Sequence, residues 1–205
     1  MRESFKKRQK AKGVRQKAEE ETKHGKPVYY PLFAAFLFLL LALCLLPFAS
    51  SVIYADPPSP FAGEKLINRR APEFALKGLD GSTVSLSSYK GTVVLLNFWA
   101  TWCPSCREEF PSLNNLSRQL KNRKFSIIAV STDRSVSDVK DFLKEHPSDL
   151  TVVVDYSLSV SKSLYKVFVL PTSFLIDKKG VIVEKYYGGE NWTDPEVVRK
   201  IESLL

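Results

Sequence analysis

Apolar positions along this chain follow two patterns. Residues 28–55 run for 28 positions without a formal charge, centred on an almost unbroken block of Leu, Phe and Ala over 32–46. A helix needs about 20 apolar residues to cross a hydrocarbon core, so this block predicts one transmembrane helix. Beyond residue 71 the apolar runs are short and periodic. Val93-Val-Leu-Leu-Asn-Phe98 is almost wholly apolar and bounded by polar residues, the pattern of a central strand buried on both faces. Residues 125–130 read the same way. Phe110, Leu113, Leu116 and Leu120 recur at helical spacing, predicting a helix from Pro104 to about residue 122. Val136, Val139, Phe142 and Leu143 predict another over 135–146.

Punctuation residues complete the outline. Leu79-Asp-Gly-Ser82 between 74–76 and 83–86 predicts a hairpin. A short strand at 150–154 and a helical segment at 158–167 follow. Strands at 173–177 and 181–187 meet at the tight turn Lys178-Lys-Gly180. Thr193-Asp-Pro-Glu196 has capping-box spacing and opens a last helix to residue 205. Strand–helix–strand units, then a hairpin and a terminal helix, predict an α/β domain over 71–205 with a mixed sheet. The proline-rich stretch Asp56-Pro-Pro-Ser-Pro-Phe-Ala-Gly63 predicts a semi-stiff linker over 56–70.

Charge changes the picture at one end only. Of 205 residues with net charge +8, residues 1–27 hold ten Lys/Arg against four Asp/Glu, and the remaining 178 hold 20 against 18. A nucleic-acid surface would carry its basic charge on the folded part, so no nucleic-acid partner is expected. Basic residues before an apolar helix predict a cytoplasmic N-terminus with everything after the helix on the extracytoplasmic side of the cell membrane. Tyr29, Tyr30 and Tyr54 stand where interfacial aromatics belong. A cleaved signal peptide ending near Ala55 is the rival reading; the basic region is long for one, and both deliver the domain to the same side. Cys44 lies inside the apolar block, with Leu43 where a lipidation site has a small residue, and reads as a membrane-helix side chain.

Cys103 and Cys106 carry the candidate chemistry. They fall where the strand over 93–98 hands over to the following helix. A sulfur at Cys103 would lie beside unpaired N–H groups at the positive helix end, which lowers its pKa and populates the thiolate. Cys106, in the first turn, is on the same face and can close a disulfide with it. Pro104 suits the first helical position, where its missing N–H costs nothing. A zinc site would need about four ligands, and beyond this pair the chain offers only Cys44, His24 and His146 among Cys and His. A structural disulfide would close a tiny loop and stabilise little. A redox-active dithiol is the expectation, with no metal and no cofactor.

Phe98-Trp-Ala-Thr-Trp-Cys-Pro-Ser-Cys106 resembles the active site of thioredoxin-fold proteins. Cys106-Arg-Glu-Glu-Phe-Pro111 and Ala71-Pro-Glu-Phe74 narrow the likeness to the membrane-anchored TlpA/ResA-type thiol-disulfide oxidoreductases, and it runs from about Ala71 to the C-terminus. The resemblance implies a thioredoxin-like fold, with a central mixed sheet flanked by helices and an N-terminal β-hairpin extension. Leu170-Pro-Thr-Ser-Phe-Leu-Ile-Asp177 matches the family segment with a cis proline opposite the cysteines, so Pro171 is expected cis. Thioredoxins carry a buried aspartate six residues before the first cysteine, where this chain has Asn97. ResA-type proteins use a glutamate three residues after the second, which maps onto Glu109. The expected catalytic set is therefore Cys103, Cys106 and Glu109. Glu108 is expected to be a helix-dipole residue, a role equally open to Glu109 from its position alone.

Substrate contacts are expected from Trp102, Pro104, Leu170, Pro171 and Thr172, with Trp99 in the sheet core and Trp192 packing the last helix. The resemblance further implies reduction of disulfides in exported proteins, apocytochrome c among them. Electrons would come from a transmembrane donor of the CcdA/DsbD kind. A disulfide oxidant or isomerase is the alternative direction. A peroxidase fits poorly: the peroxiredoxin pattern Pro-x-x-x-Thr-x-x-Cys would put Pro and Thr at Leu96 and Ala100, or at Trp99 and Cys103. A non-catalytic binding module on the same fold would have no need of an intact cysteine pair.

Overall fold

The computed structural model describes residues 62–205. The predicted basic tail, the apolar block at 28–55 with Cys44, and the start of the proline-rich stretch lie outside the described residues. Among the described residues no helix is long and apolar enough to cross a membrane.

Seven strands form one mixed sheet: β1 (Ala75–Gly78), β2 (Thr83–Ser85), β3 (Val93–Trp99), β4 (Phe125–Ser131), β5 (Thr151–Val154), β6 (Thr172–Ile176) and β7 (Ile182–Tyr187), in the order β2-β1-β5-β4-β3-β6-β7. β3, β4 and β5 run parallel, and the remaining pairings are antiparallel. Among the described residues three α-helices accompany them: α1 (Pro104–Gln119), α2 (Val136–Glu145) and α3 (Pro195–Glu202).

The apolar run of β3 is explained by its neighbours. Every β3 residue is buried. Val93, Leu95 and Trp99 face a core shared with Phe110, Leu113 and Leu116 of α1, Phe142 of α2 and Ile201 of α3. Val94, Leu96 and Phe98 face a second core with Phe74, Tyr165, Phe174 and Ile182. All three α-helices pack on the first face. The second is covered by Leu66, Ile67 and Phe74 and by the segment around a π-helical turn, Ser159–Leu164. Each fully buried aliphatic or aromatic side chain here is worth about 1.5–3 kcal/mol of transfer free energy, and β3, like β4, β5 and β6, contributes to both cores.

The packed chain reaches back before Ala71. Asn68 donates its N–H to Ile182 at 2.8 Å, and Arg70 bridges Val181. The tight turn at Lys178–Gly180 forms as the sequence predicts, with Gly180 at φ +80°, a conformation that suits glycine. α1 continues through Pro111 but ends at Gln119, three residues early, because the Leu120 backbone leaves helical geometry.

The last helix corrects the predicted capping box. The cap is Asp194, not Thr193: its carboxylate accepts the Glu196 N–H at 2.7 Å, and Pro195 takes the first helical position. Thr193 instead turns back to Asn191, whose Oδ1 accepts from both its N–H and its hydroxyl. Proline is pre-set for the first helical position and loses no hydrogen bond there, so it draws the cap to the residue before it. Asp194→Ala should lower stability by about 1 kcal/mol, and Thr193→Ala by less, measured as urea-unfolding midpoints. Equal losses would return the cap to Thr193.

Candidate active site

β3, β4 and β5 end together, and the site lies beyond their carboxyl ends, where ligands bind in open α/β sheets. From Trp99 the chain turns through Ala100 and Thr101, closed by the Cys103 N–H donating to the Ala100 carbonyl at 3.2 Å. Cys103 is the N-cap of α1: its sulfur accepts the Cys106 N–H at 3.3 Å, and Pro104 is the first helical residue. Sulfur at Cys103 thus faces the positive end of a 16-residue helix. Cys103 and Cys106 are joined as a disulfide with their Cα atoms 5.3 Å apart.

The two sulfurs have different surroundings. Cys103 lines a cleft of about 790 Å³ together with Trp102, Pro104, Asp133, Arg134, Phe168 and Leu170. Cys106 is 1% exposed and belongs to the core face of α1. Cys103 is therefore the sulfur a substrate can reach, and Cys106 the one that answers from inside.

Glu109 follows Cys106 by three residues, on the same side of the helix. The first turn of α1 holds no acidic residue, so the dipole reading holds for neither Glu109, which is buried, nor Glu108, which is exposed: both lie one turn too far along the helix. One carboxylate oxygen of Glu109, Oε1, accepts from Asn97 Nδ2 at 2.8 Å. The other, Oε2, accepts from the Glu190 N–H and from the Trp192 indole Nε1–H, both at 3.1 Å. Burial pushes the carboxyl above the usual carboxylate range, against the pull of these three donors, and the nearby Glu190 charge adds to the rise. The result is a buried carboxylate on the same side of the helix as Cys106, with a proton affinity higher than that of an exposed glutamate.

Trp192 was expected to pack the last helix. It is fully buried and meets Tyr186 edge to face at 5.1 Å, but it also holds Glu109, which sequence spacing does not reveal. Trp99 is in the sheet core.

Asp133, two residues past β4, was not anticipated. Its buried carboxylate accepts from the Thr101 N–H at 3.0 Å, the Thr101 hydroxyl at 2.7 Å and the Ser131 hydroxyl at 2.7 Å. It ties the turn that carries Cys103 to the neighbouring strand. Its one legible signal is position: an acid just beyond the carboxyl end of a buried strand beside the motif.

The expected substrate contacts divide in two. Trp102 is 69% exposed at the rim, Pro104 is exposed, and Leu170 lines the cleft with Cys103. The Leu170–Pro171 peptide is cis. Pro171 is buried, and its carbonyl accepts from the Gly188 N–H at 2.9 Å. Thr172 pairs with Phe98 inside the sheet and spends its hydroxyl on the Val169 carbonyl at 2.7 Å, so its side chain does not line the cleft.

A thioredoxin-like sheet, a helix-capping cysteine joined to a second in the first turn and a cis proline beside them define a protein-disulfide oxidoreductase. The chain matches the Redoxin family over residues 66–204 and belongs to it. It is 36% identical over 159 residues to the thiol-disulfide oxidoreductase ResA of Bacillus subtilis, covering 77% of this chain and 85% of that protein. The ResA of Bacillus cereus is 40% identical over 122 residues, covering 60% and 70%. Among solved structures, the thioredoxin domain of a thiol-disulfide oxidoreductase from Bacteroides vulgatus matches with a TM-score of 0.59 and 30% identity, covering 67% of this chain and 96% of that one. A thiol:disulfide interchange protein from Bacteroides sp. matches with a TM-score of 0.58 and 31% identity, covering 67% and 88%. These findings make it a ResA/TlpA-type thioredoxin-like protein.

Access sets an order of reactivity. In the reduced chain, iodoacetamide should alkylate Cys103 before Cys106, read by mass mapping at short times and near-neutral pH. Alkylation of Cys106 first would reverse the assignment of nucleophile.

Proposed function

We propose that this protein reduces disulfides in exported proteins on the extracytoplasmic side of the cell membrane, apocytochrome c cysteines among them. In this reading residues 28–55 anchor the chain and residues 1–27 stay in the cytoplasm. The observation that carries it is the Cys103–Cys106 pair backed by a buried carboxylate, on a chain whose sequence places a charge-free apolar block ahead of the domain.

The reaction runs in two exchanges. The Cys103 thiolate attacks one sulfur of the substrate disulfide; the S–S bond breaks, one substrate thiolate leaves, and a mixed disulfide remains on Cys103. Cys106 gives its thiol proton to Glu109 and attacks the Cys103 sulfur, and the second substrate thiolate leaves. Two electrons have passed to the substrate, and the protein is left with the Cys103–Cys106 disulfide that the structure contains. Its regeneration requires a dithiol donor on the same side. Cytosolic reductants cannot reach that compartment, so the donor proposed is a transmembrane carrier of the CcdA/DsbD kind.

Direction is a matter of potential. The reduction potential of the chain's dithiol, measured against glutathione or dithiothreitol buffers, should fall near thioredoxin's value of about −270 mV. A value near about −120 mV would make the pair an oxidant and overturn the reductant reading. In cells, Cys106→Ala should accumulate mixed disulfides through Cys103, identified by mass spectrometry after acid quenching. Exported proteins bearing Cys pairs should be among the trapped species; a trap that holds none of them would remove the substrate assignment.

A further inference from the structure

Glu109 can serve as a base only if its carboxylate keeps a fixed direction and a tuned affinity for the proton. The groups that arrange this come from three places in the chain. Asn97 is the one polar residue of the all-buried β3 strand. Its Nδ2 donates both to Glu109 Oε1 at 2.8 Å and to Ser173 Oγ at 2.9 Å. Trp192, fully buried, donates its indole N–H to Glu109 Oε2. The Glu190 backbone N–H, in the same loop, donates to that oxygen as well.

We propose that Asn97 and Trp192 are positioning residues, which hold opposite oxygens of Glu109 so that the carboxylate receives the Cys106 proton during the second exchange. This rests on the dithiol mechanism above and assigns the residues that make its base work.

The hydrogen-bond inventory shows how the two protonation states are accommodated. All three partners of ionised Glu109 are N–H donors, and none can accept a proton. A proton arriving on Oε1 would face the Asn97 NH₂ group. Asn97 Oδ1 is buried and has no hydrogen-bond partner among the described residues. Turning the amide over presents Oδ1 to the new Glu109 O–H, and the Ser173 hydroxyl can rotate to donate to the same oxygen. Asn97 therefore serves both states: NH₂ toward the carboxylate, C=O toward the acid. The Trp192 indole only donates, so its bond favours the ionised form and opposes the effect of burial.

Other charges near Glu109 are few. On its own helix stand exposed Glu108 and the cysteine pair. The 188–192 loop brings Glu190, which lines the same surface recess as Glu108 and Glu109. β7 brings Tyr186, whose hydroxyl is pushed up to about 12 by burial and by the charges of Glu184 and Glu190, so it does not titrate near neutrality. β3 and β6 contribute the non-titrating Asn97 and Ser173.

The test separates the two exchanges. When the reduced full-length chain, with Cys44→Ser to remove the third thiol, reacts with 5,5′-dithiobis(2-nitrobenzoate), the first nitrothiolate is released by attack of Cys103 and the second by attack of Cys106 on the mixed disulfide. The rate of the second release, followed by stopped-flow absorbance across pH and taken relative to the first, should rise along a limb that Glu109→Gln removes. Trp192→Phe keeps an aromatic ring and removes only the N–H; Asn97→Ala removes the other donor. Each should move the limb to higher pH by about one unit, the tenfold gain in proton affinity expected from losing a hydrogen bond to a charged group. Neither should move anything in a Glu109→Gln background.

An unmoved limb in both variants, or a shift that persists without Glu109, overturns the assignment. The unmutated chain gives a check independent of folding: the Trp192 indole proton resonance should titrate in step with the Glu109 carboxyl carbon, and an indole proton indifferent to that titration overturns it too. Failure of the dithiol mechanism looks different. In that case the second release is absent, or it survives Cys106→Ala.

Discussion

Burying an ionisable carboxylate behind a cysteine pair is the constraint to which the rest of the site answers. Unpaired, such a group would be driven to neutrality by desolvation and could no longer take a proton. Here three N–H donors keep the ionised form within reach, and they come from β3 and from a loop more than 80 residues further along the chain. The loop must therefore lie against the first turn of α1. Gly188 permits the turn into it, at φ +79°, a conformation L side chains rarely adopt. Gly188 also donates to the carbonyl of Pro171, so the loop is pinned to the cis-proline segment at one end and to Glu109 at the other.

With the carboxylate fixed inside, the labour of the two cysteines divides by position on one helix. Cys103, as the cap, has the unpaired amides of the first turn and opens on the cleft. Cys106 looks inward, away from that cleft and on the side of Glu109. The same helix end that stabilises a thiolate at Cys103 holds Pro104 where no amide is missed. Asp133 keeps the preceding turn in place, accepting both the N–H and the hydroxyl of Thr101. A slack turn would let the Cys103 sulfur drift off the helix axis, where the amides no longer act on it.

What could be read from the sequence follows the range of the interactions. β3, β4 and the face of α1 were legible because burial imprints a local period on apolar residues. The cysteine corner was legible because strand, cap and first turn are contiguous. The cis peptide at Pro171 and the role proposed for Glu109 came through family resemblance, not through spacing. Asp133 and Trp192 were missed because their bonds join residues 32 and 83 positions apart, and a single polar residue carries no period that would announce such a partner. The cap at Asp194 was misplaced by one residue because two adjacent side chains, Thr193 and Asp194, both satisfy the local preference. The choice is made by Pro195, together with the pull of Asn191 on Thr193.

The amide at position 97 is a consequence of placing the acid on the helix. Asn97 Nδ2 lies 2.8 Å from Glu109 Oε1, so an aspartate there would set two carboxylates in contact inside the core. Two such groups cannot both ionise at that distance, and the shared proton would leave neither with an affinity suited to a thiol. An apolar residue would spare the repulsion but leave Oε1 without its donor and Ser173 without its partner. Asparagine alone among residues of this size supplies a donor to both and, by turning over, an acceptor when Glu109 is protonated. An acid on the helix and an amide on the strand are thus one requirement, not two, and Asn97 and Glu109 form a single hydrogen-bonded unit.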